Sequence, residues 1–136
     1  MNLSPEAVRA EVARFWNTFI SKSSEMLEEF YAHESTVFGT ASTRSEPGRL
    51  AATRRQREYF ITQSILRANT GVVDVIMLDE RSAVATYTFQ FHASKLSRAA
   101  KQQEEHIGQG RATQVFGIDT DGKIRIFHEH LSLPAN

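Results

Sequence analysis

The chain has 136 residues, with sixteen basic and sixteen acidic side chains and no cysteine. Zero net charge supplies no long-range field to gather nucleic acid, an anionic membrane or an acidic substrate, and the missing cysteines exclude disulfides, thiolate catalysis and cysteine-ligated zinc. The length suits one domain across 1–136, with about 5–134 in regular structure, and a chain of this size buries roughly two-thirds of its unfolded surface without covalent staples. No basic leader precedes an apolar run, and no segment approaches the roughly 20 apolar residues of a membrane span, so the sequence reads as a soluble, unprocessed, cytoplasmic protein.

Ser4 is placed to cap a helix, Pro5 suits its first turn and Glu6 its dipole, and Val8, Val12, Phe15 and Phe19 recur at spacings of three and four. This predicts a first helix to about Ile20. A polar break at 21–24 offers a second cap, and Met26, Leu27, Phe30 and Tyr31 predict a short helix from Glu25 to about Ala32. The β-branched and aromatic run 35–39 predicts a short strand, followed by a polar loop to Pro47. A third helix is expected from Arg49 to about Arg67, with Leu50, Tyr59, Phe60, Ile61 and Ile65 on its apolar side and Glu46 just ahead of it as a cap.

After Asn69-Thr70-Gly71 the pattern changes to that of a hairpin. Residues 72–78 are a near-continuous apolar run, 79–82 are turn-like, and 83–92 alternate Ala83, Ala85, Tyr87, Phe89 and Phe91 against Val84, Thr86, Thr88, Gln90 and His92. The polar stretch 94–105 reads as a surface loop or strand extension. A closing hairpin runs from Gly110 to Ile118, turns at Asp119-Thr120-Asp121-Gly122 and returns from Lys123 to Leu133, with Asp-Gly supplying the positive φ of a tight turn. Three helices followed by about four long strands predict an α+β domain, a curved antiparallel sheet wrapped around N-terminal helices.

Two segments carry a family resemblance. The run Phe30-Tyr31-Ala32-His33-Glu34-Ser35-Thr36-Val37-Phe38-Gly39-Thr40 resembles the part of SnoaL-like domains where a short helix ends in Tyr-Ala and leads into a Val-Phe-Gly-Thr strand. Gly110 to Phe116 and Asp121 to Ser132 are similar to the closing hairpin of the same group, which belongs to the nuclear transport factor 2-like superfamily. That hairpin also resembles the association domain of calcium/calmodulin-dependent kinases, with its Asp-Gly-Lys turn and His-x-His-x-Ser ending. Ile124 departs from the pattern, standing where the family usually has tryptophan. The resemblance implies a cone-shaped barrel with a pocket between sheet and helices and a homodimer formed through the outer sheet face. It implies no single activity, because the superfamily holds isomerases, dehydratases, cyclases and plain oligomerisation modules.

On the last strand Ile124, Ile126, His128, His130 and Ser132 share one face by alternation, and Arg125, Phe127, Glu129, Leu131 and Leu133 the other. Arg125 and Glu129 mark the second face as the outside. His128 and His130 are then expected to point inward, with Arg111 and Thr113 of the partner strand beside them. On this reading Arg111 binds an anionic or carbonyl oxygen of an unidentified small molecule, and His130 is the candidate catalytic group, since imidazole titrates near neutrality. A structural reading competes with it: Arg111 paired with a buried carboxylate such as Glu46, and His130 bonded to Ser132 or a backbone carbonyl.

Trp16, Tyr31, Tyr59 and Tyr87 complete the expected pocket wall, although aromatics at such spacings also make ordinary core. His128 and His130 with His92 or His106 have the spacing of a weak metal signal, but no carboxylate cluster accompanies them, so neither metal nor cofactor is expected. The parity of Asp74 is open. Arg49, Arg54, Arg55 and Arg57 lie on one helix and read as a solvated face instead of an RNA site. Two functions remain open: a small-molecule pocket, with or without chemistry next to a carbonyl, and an association module whose Phe127, Leu131 and Leu133 meet a symmetry mate.

Overall fold

The Ser4 hydroxyl accepts the Ala7 N–H at 3.1 Å, and Pro5 opens α1 (Pro5–Ile20), whose buried stripe includes Val8, Val12, Phe15, Trp16 and Phe19. The computed structural model describes residues 2–39, 45–95 and 105–133, the side chains of Glu46, Leu66, Glu105 and His106 excepted. Ser23 caps α2 (Ser24–Glu28), which stops short of the expected Ala32. Tyr31 instead opens β1 (Tyr31–Phe38), because it pairs with Ile126 near the C-terminus and the Ile126 N–H bonds to the Phe30 carbonyl at 2.7 Å. β2 (Glu46–Pro47) pairs with β1, and Gly48, at φ +92°, is the N-cap of α3 (Arg49–Thr62) without a side-chain cap. The proposed capping by the Glu46 side chain lies outside the described residues.

The expected third helix is cut short as well. Residues Gln63 to Thr70 form β3 (Gln63–Thr70), paired antiparallel along the far half of β5 (Ser82–Lys95). Leu66, Arg67 and Ala68 favour helix locally, but a long ladder of strand pairing outweighs propensities worth a few tenths of a kcal/mol per residue. β4 (Asp74–Met77) pairs with the near half of β5, which directs Val75 and Met77 to the core and leaves Asp74 exposed. β6 (Glu105–Ile118) and β7 (Ile124–Ser132) make the closing hairpin, and residues 96–104 of the expected surface stretch lie outside the described part.

The strands order as β2-β1-β7-β6-β5-β3, with β4 also on β5. The β1–β7 pair is parallel, so the sheet is mixed and not wholly antiparallel as expected. The sheet curls into a half barrel, and the core packs α1 and α3 against its inner face: Phe15, Trp16, Phe19 and Phe60 from the helices meet Tyr87, Phe89, Phe116 and Ile126 from the strands. No helix among the described residues is long and apolar enough to cross a membrane.

One residue of β7 redirects the rest of that strand. Phe116 pairs with Ile126 and the adjacent Val115 pairs with His128, so Phe127 is an extra residue without a partner, a β-bulge. Its ring lies over Gly117, where an added Cβ would sit 2.9 Å from Phe127 Cε2. A strand alternates with period two, so one inserted residue exchanges the faces of everything beyond it. Ile126 points inward as expected, but Glu129 and Leu131 then point inward too, while His128 and His130 point out. Before the bulge, Arg125 stays at the hairpin end, where its Nη1 donates to Asp119 at 3.2 Å and Asp121 at 2.6 Å and holds the Asp121 carboxyl down at about 2.

Candidate functional site

The inner face of the sheet and the helices enclose a cavity of about 500 Å³. Phe15, Trp16 and Phe19 of α1 form one side, Ala52, Gln56 and Tyr59 of α3 another, and Phe89, Phe91, Glu129 and Leu131 the sheet side. Arg55 and Glu58 of α3 also line the cavity, and Glu129 is the acidic group on the sheet side, 2 % exposed.

Four residues hold it through one directed chain of hydrogen bonds. The Tyr31 hydroxyl donates to both Glu129 oxygens at 2.9 Å, and Gln114 Nε2 donates to Oε2 at 2.7 Å. Gln114 Oε1 in turn accepts the Tyr87 hydroxyl at 2.7 Å, and the Tyr87 oxygen accepts Trp16 Nε1–H at 3.1 Å. The register explains the convergence: Gln114 lies opposite Glu129 on β7 and opposite Ala85 on β5, and Ala85 leaves room for the amide. Burial lifts the Glu129 carboxyl from 4.5 to about 7, partly opposed by the two donors, which favour its charged form. Burial, reinforced by the Glu129 charge, raises both phenols above their ordinary value, so Tyr31 and Tyr87 remain protonated donors. A carboxyl that titrates near neutrality on the wall of this chamber can take or give a proton there.

The structure divides the residues named from sequence into two groups. Trp16 and Tyr59 line the cavity, and the buried Tyr31 and Tyr87 belong to the chain around Glu129. Arg111, Thr113, His128 and His130 are not at the cavity. Bulge parity places both histidines on the outer face: His128 Nδ1 meets Thr36 Oγ1 at 2.8 Å, His130 is exposed, and both rings pack on Phe38. Thr113 pairs with His130, and the exposed Arg111 donates to the Leu133 carbonyl at 3.2 Å instead of to a carboxylate. His130 therefore has no place beside a ligand in the cavity. His92 meets Arg67 at 3.1 Å, and the His106 side chain lies outside the described residues. Among the described residues no three metal-ligating side chains gather.

Sequence reasoning missed Glu129 and Gln114. A usable signal was present: the large inward rings of Phe89 and Phe91 need small residues opposite them, and Gly110 and Gly108 supply them, which sets Ala112, Gln114 and Phe116 inward on β6.

No family model matches the sequence, and no curated protein does. Solved structures match over nearly the whole chain. A proposed calcium/calmodulin dependent protein kinase II association domain from Xanthomonas campestris is 19% identical, with 98% of this chain and 91% of that one covered at a TM-score of 0.76. A ketosteroid isomerase-like protein from Erwinia carotovora is 8% identical, with 94% of each chain covered at 0.76. A nuclear transport factor 2-like protein with a cystatin-like fold from Novosphingobium aromaticivorans is 16% identical, with 94% of this chain and 80% of that one covered at 0.64. The chain has the cystatin-like fold of nuclear transport factor 2-like proteins. Identities this low establish the fold alone, so the chemistry of this nuclear transport factor 2-like fold must be argued from its own cavity.

Proposed function

We propose that the protein is a small-molecule acid–base catalyst that moves a proton at a carbon next to a carbonyl, as isomerases, cyclases and hydro-lyases do, with Glu129 as the acid–base group. One observation carries this: a carboxyl on the wall of an aromatic cavity, raised to about 7 and held by two neutral donors. The ketosteroid isomerase-like name of one fold neighbour fits the reading. A desolvated base of matched pKa supplies roughly 10²–10⁴ in rate.

A general probe of such a base is 5-nitrobenzisoxazole. Its C3 proton passes to the Glu129 carboxylate as the N–O bond breaks, and the electron pair ends on the phenolate oxygen of a coloured product. The expected result is elimination about 100-fold faster than with the same concentration of acetate, with kcat/KM rising through pH 7 and levelling above it. A rate equal to that of acetate, or one without a midpoint near 7, overturns the proposal.

Assembly through the outer face is a second, compatible reading. Register aligns Ile76, Val84 and Val115 in one row across β4, β5 and β6, and the row continues to His128 and Thr36. Ile76 is 62% exposed, which leaves an apolar stripe on the convex side. Of the residues expected to meet a partner, Leu131 and the exposed Leu133 border the cavity, and Phe127 packs on Gly117. We propose a two-fold homodimer through this stripe. Val115→Glu is expected to halve the mass seen by sedimentation; an unchanged mass, or a monomeric parent protein, removes the reading.

A further inference from the structure

The sheet side of the cavity is built from aromatic rings lying over glycines. An added Cβ at Gly108 would overlap the tip of the Phe91 ring and stand 2.6 Å from each of its Cε atoms. At Gly110 it would stand 2.7 Å from Phe89 Cζ and 2.8 Å from the Ser132 carbonyl oxygen. Both rings therefore lie down on β6, nearly parallel at 5°.

Their upper faces differ. Trp16 stacks on Phe89 at 4.8 Å and 24° and covers it. Among the described residues no helix ring stacks in parallel on Phe91. It is half-buried, lines the cavity, and is flanked by Phe19 at 5.2 Å and 61° and by Tyr59 at 5.6 Å and 79°. A flat aromatic face bounded by two tilted rings is a slot for another flat ring, which would stack on Phe91 and meet Phe19 and Tyr59 in the tilted geometry aromatic pairs prefer.

The slot and the carboxyl are separated along the sheet side of the cavity. Glu129 is in register with Gln114 and Phe91 with Gly108, six residues away along β6, which is roughly 20 Å of strand.

We propose that the ligand is an elongated ketone or related carbonyl compound with a planar aromatic or conjugated end seated on Phe91, and that Gly108 determines this preference by letting the Phe91 ring lie flat. The assignment rests on the cavity being the reaction chamber proposed above. A methyl at position 108 tips the ring up into the slot and removes the flat face.

The test uses two ketones of matched length, 4-acetylbiphenyl and 4-cyclohexylacetophenone, which differ only in whether the terminal ring is flat and aromatic or puckered and saturated. Binding is read by the fluorescence of Trp16, the single tryptophan, which lines the cavity. Hydrophobic transfer alone gives the flat ring no advantage, because the saturated ring buries at least as much apolar surface. The wild-type protein is expected to bind the biphenyl about fivefold more tightly, and Gly108→Ala to bring the ratio of the two Kd values close to one. A general loss of packing would weaken both ligands together and leave the ratio unchanged. If Gly108→Ala does not fold, Phe91→Leu, which keeps an apolar side chain but removes the flat face, is expected to give the same ratio near one. Equal wild-type Kd values, failure of both ketones to bind, or a preference that survives in the folded variant overturns the slot. The wild-type elimination of 5-nitrobenzisoxazole separates the two proposals: a protein that eliminates but shows no ring preference has the base without the slot, and one that prefers the biphenyl but does not eliminate has the slot without the base.

Discussion

Glu129→Gln is expected to lower the elimination of 5-nitrobenzisoxazole by at least ~100-fold in kcat/KM, since the amide cannot accept the proton, and to stabilise the protein above pH 7. The second effect follows from linkage. Burial raises the Glu129 carboxyl in the folded protein to about 7 from 4.5. Between those values the folded state holds a proton that the unfolded state has released, so wild-type stability falls as pH rises from 4.5 to 7 and is level above. A shift of this size corresponds to about 3 kcal/mol. Glutamine keeps the shape and carries no charge, and this slope disappears. The amide oxygen in the Oε2 place still accepts from Gln114, but the N–H₂ in the Oε1 place no longer accepts from the Tyr31 hydroxyl, and that lost hydrogen bond costs about 1 kcal/mol.

The two curves should therefore cross. At pH 4.5 the variant is the less stable protein by about 1 kcal/mol, and at pH 8 it is the more stable by about 2 kcal/mol, roughly 6–8 °C in Tm. Thermal melts at the two pH values decide this. Parallel curves would mean that Glu129 is solvated in the folded protein and that its raised acidity range is wrong.

Gln114→Leu carries the second large effect, and its sign is opposite. Gln114 links two buried groups, accepting from Tyr87 and donating to Glu129. Leucine fills similar space but leaves the buried Tyr87 hydroxyl without its acceptor, and Glu129 with Tyr31 alone. Stranding buried polar groups costs about 1–3 kcal/mol each, so a loss of roughly 2–4 kcal/mol at pH 8 is expected, read as a Tm lower by about 8–15 °C. The same change withdraws a donor that favours the charged carboxylate, so the midpoint of the pH–rate profile should move to higher pH. A destabilised variant with an unmoved midpoint would show that Gln114 fills space without tuning the base.

The sequence made some parts of this molecule legible and concealed others for physical reasons. Ser4-Pro5-Glu6 and the Asp119 to Gly122 turn carry their instructions locally, and both occur as read. The alternation of β5 was also readable, because Ala83, Ala85, Tyr87 and Phe89 face one uninterrupted core. β3 was not, since Ile65 to Ala68 look helical until β5 is placed beside them. The α+β order and the nuclear transport factor 2-like resemblance survived these errors, because they depend on the sequence of elements and not on their ends. The candidate site fared worse. Its aromatic wall was anticipated at Trp16 and Tyr59, but the polar end was assigned to His130 and Arg111 by counting through Phe127 as though it were an ordinary strand residue. A bulge is a property of two strands, and nothing in the single run Ile124 to Ser132 announces it.

The unpaired Phe127 has a meaning for kinship as well as for geometry. In a related chain that lacked one residue at this position, the same letters His-Glu-His would turn over, offering two imidazoles to the chamber and the carboxylate to solvent. A single gap in an alignment would thus mark a change of reagent, and two chains could match letter for letter on either side of it while carrying out different chemistry.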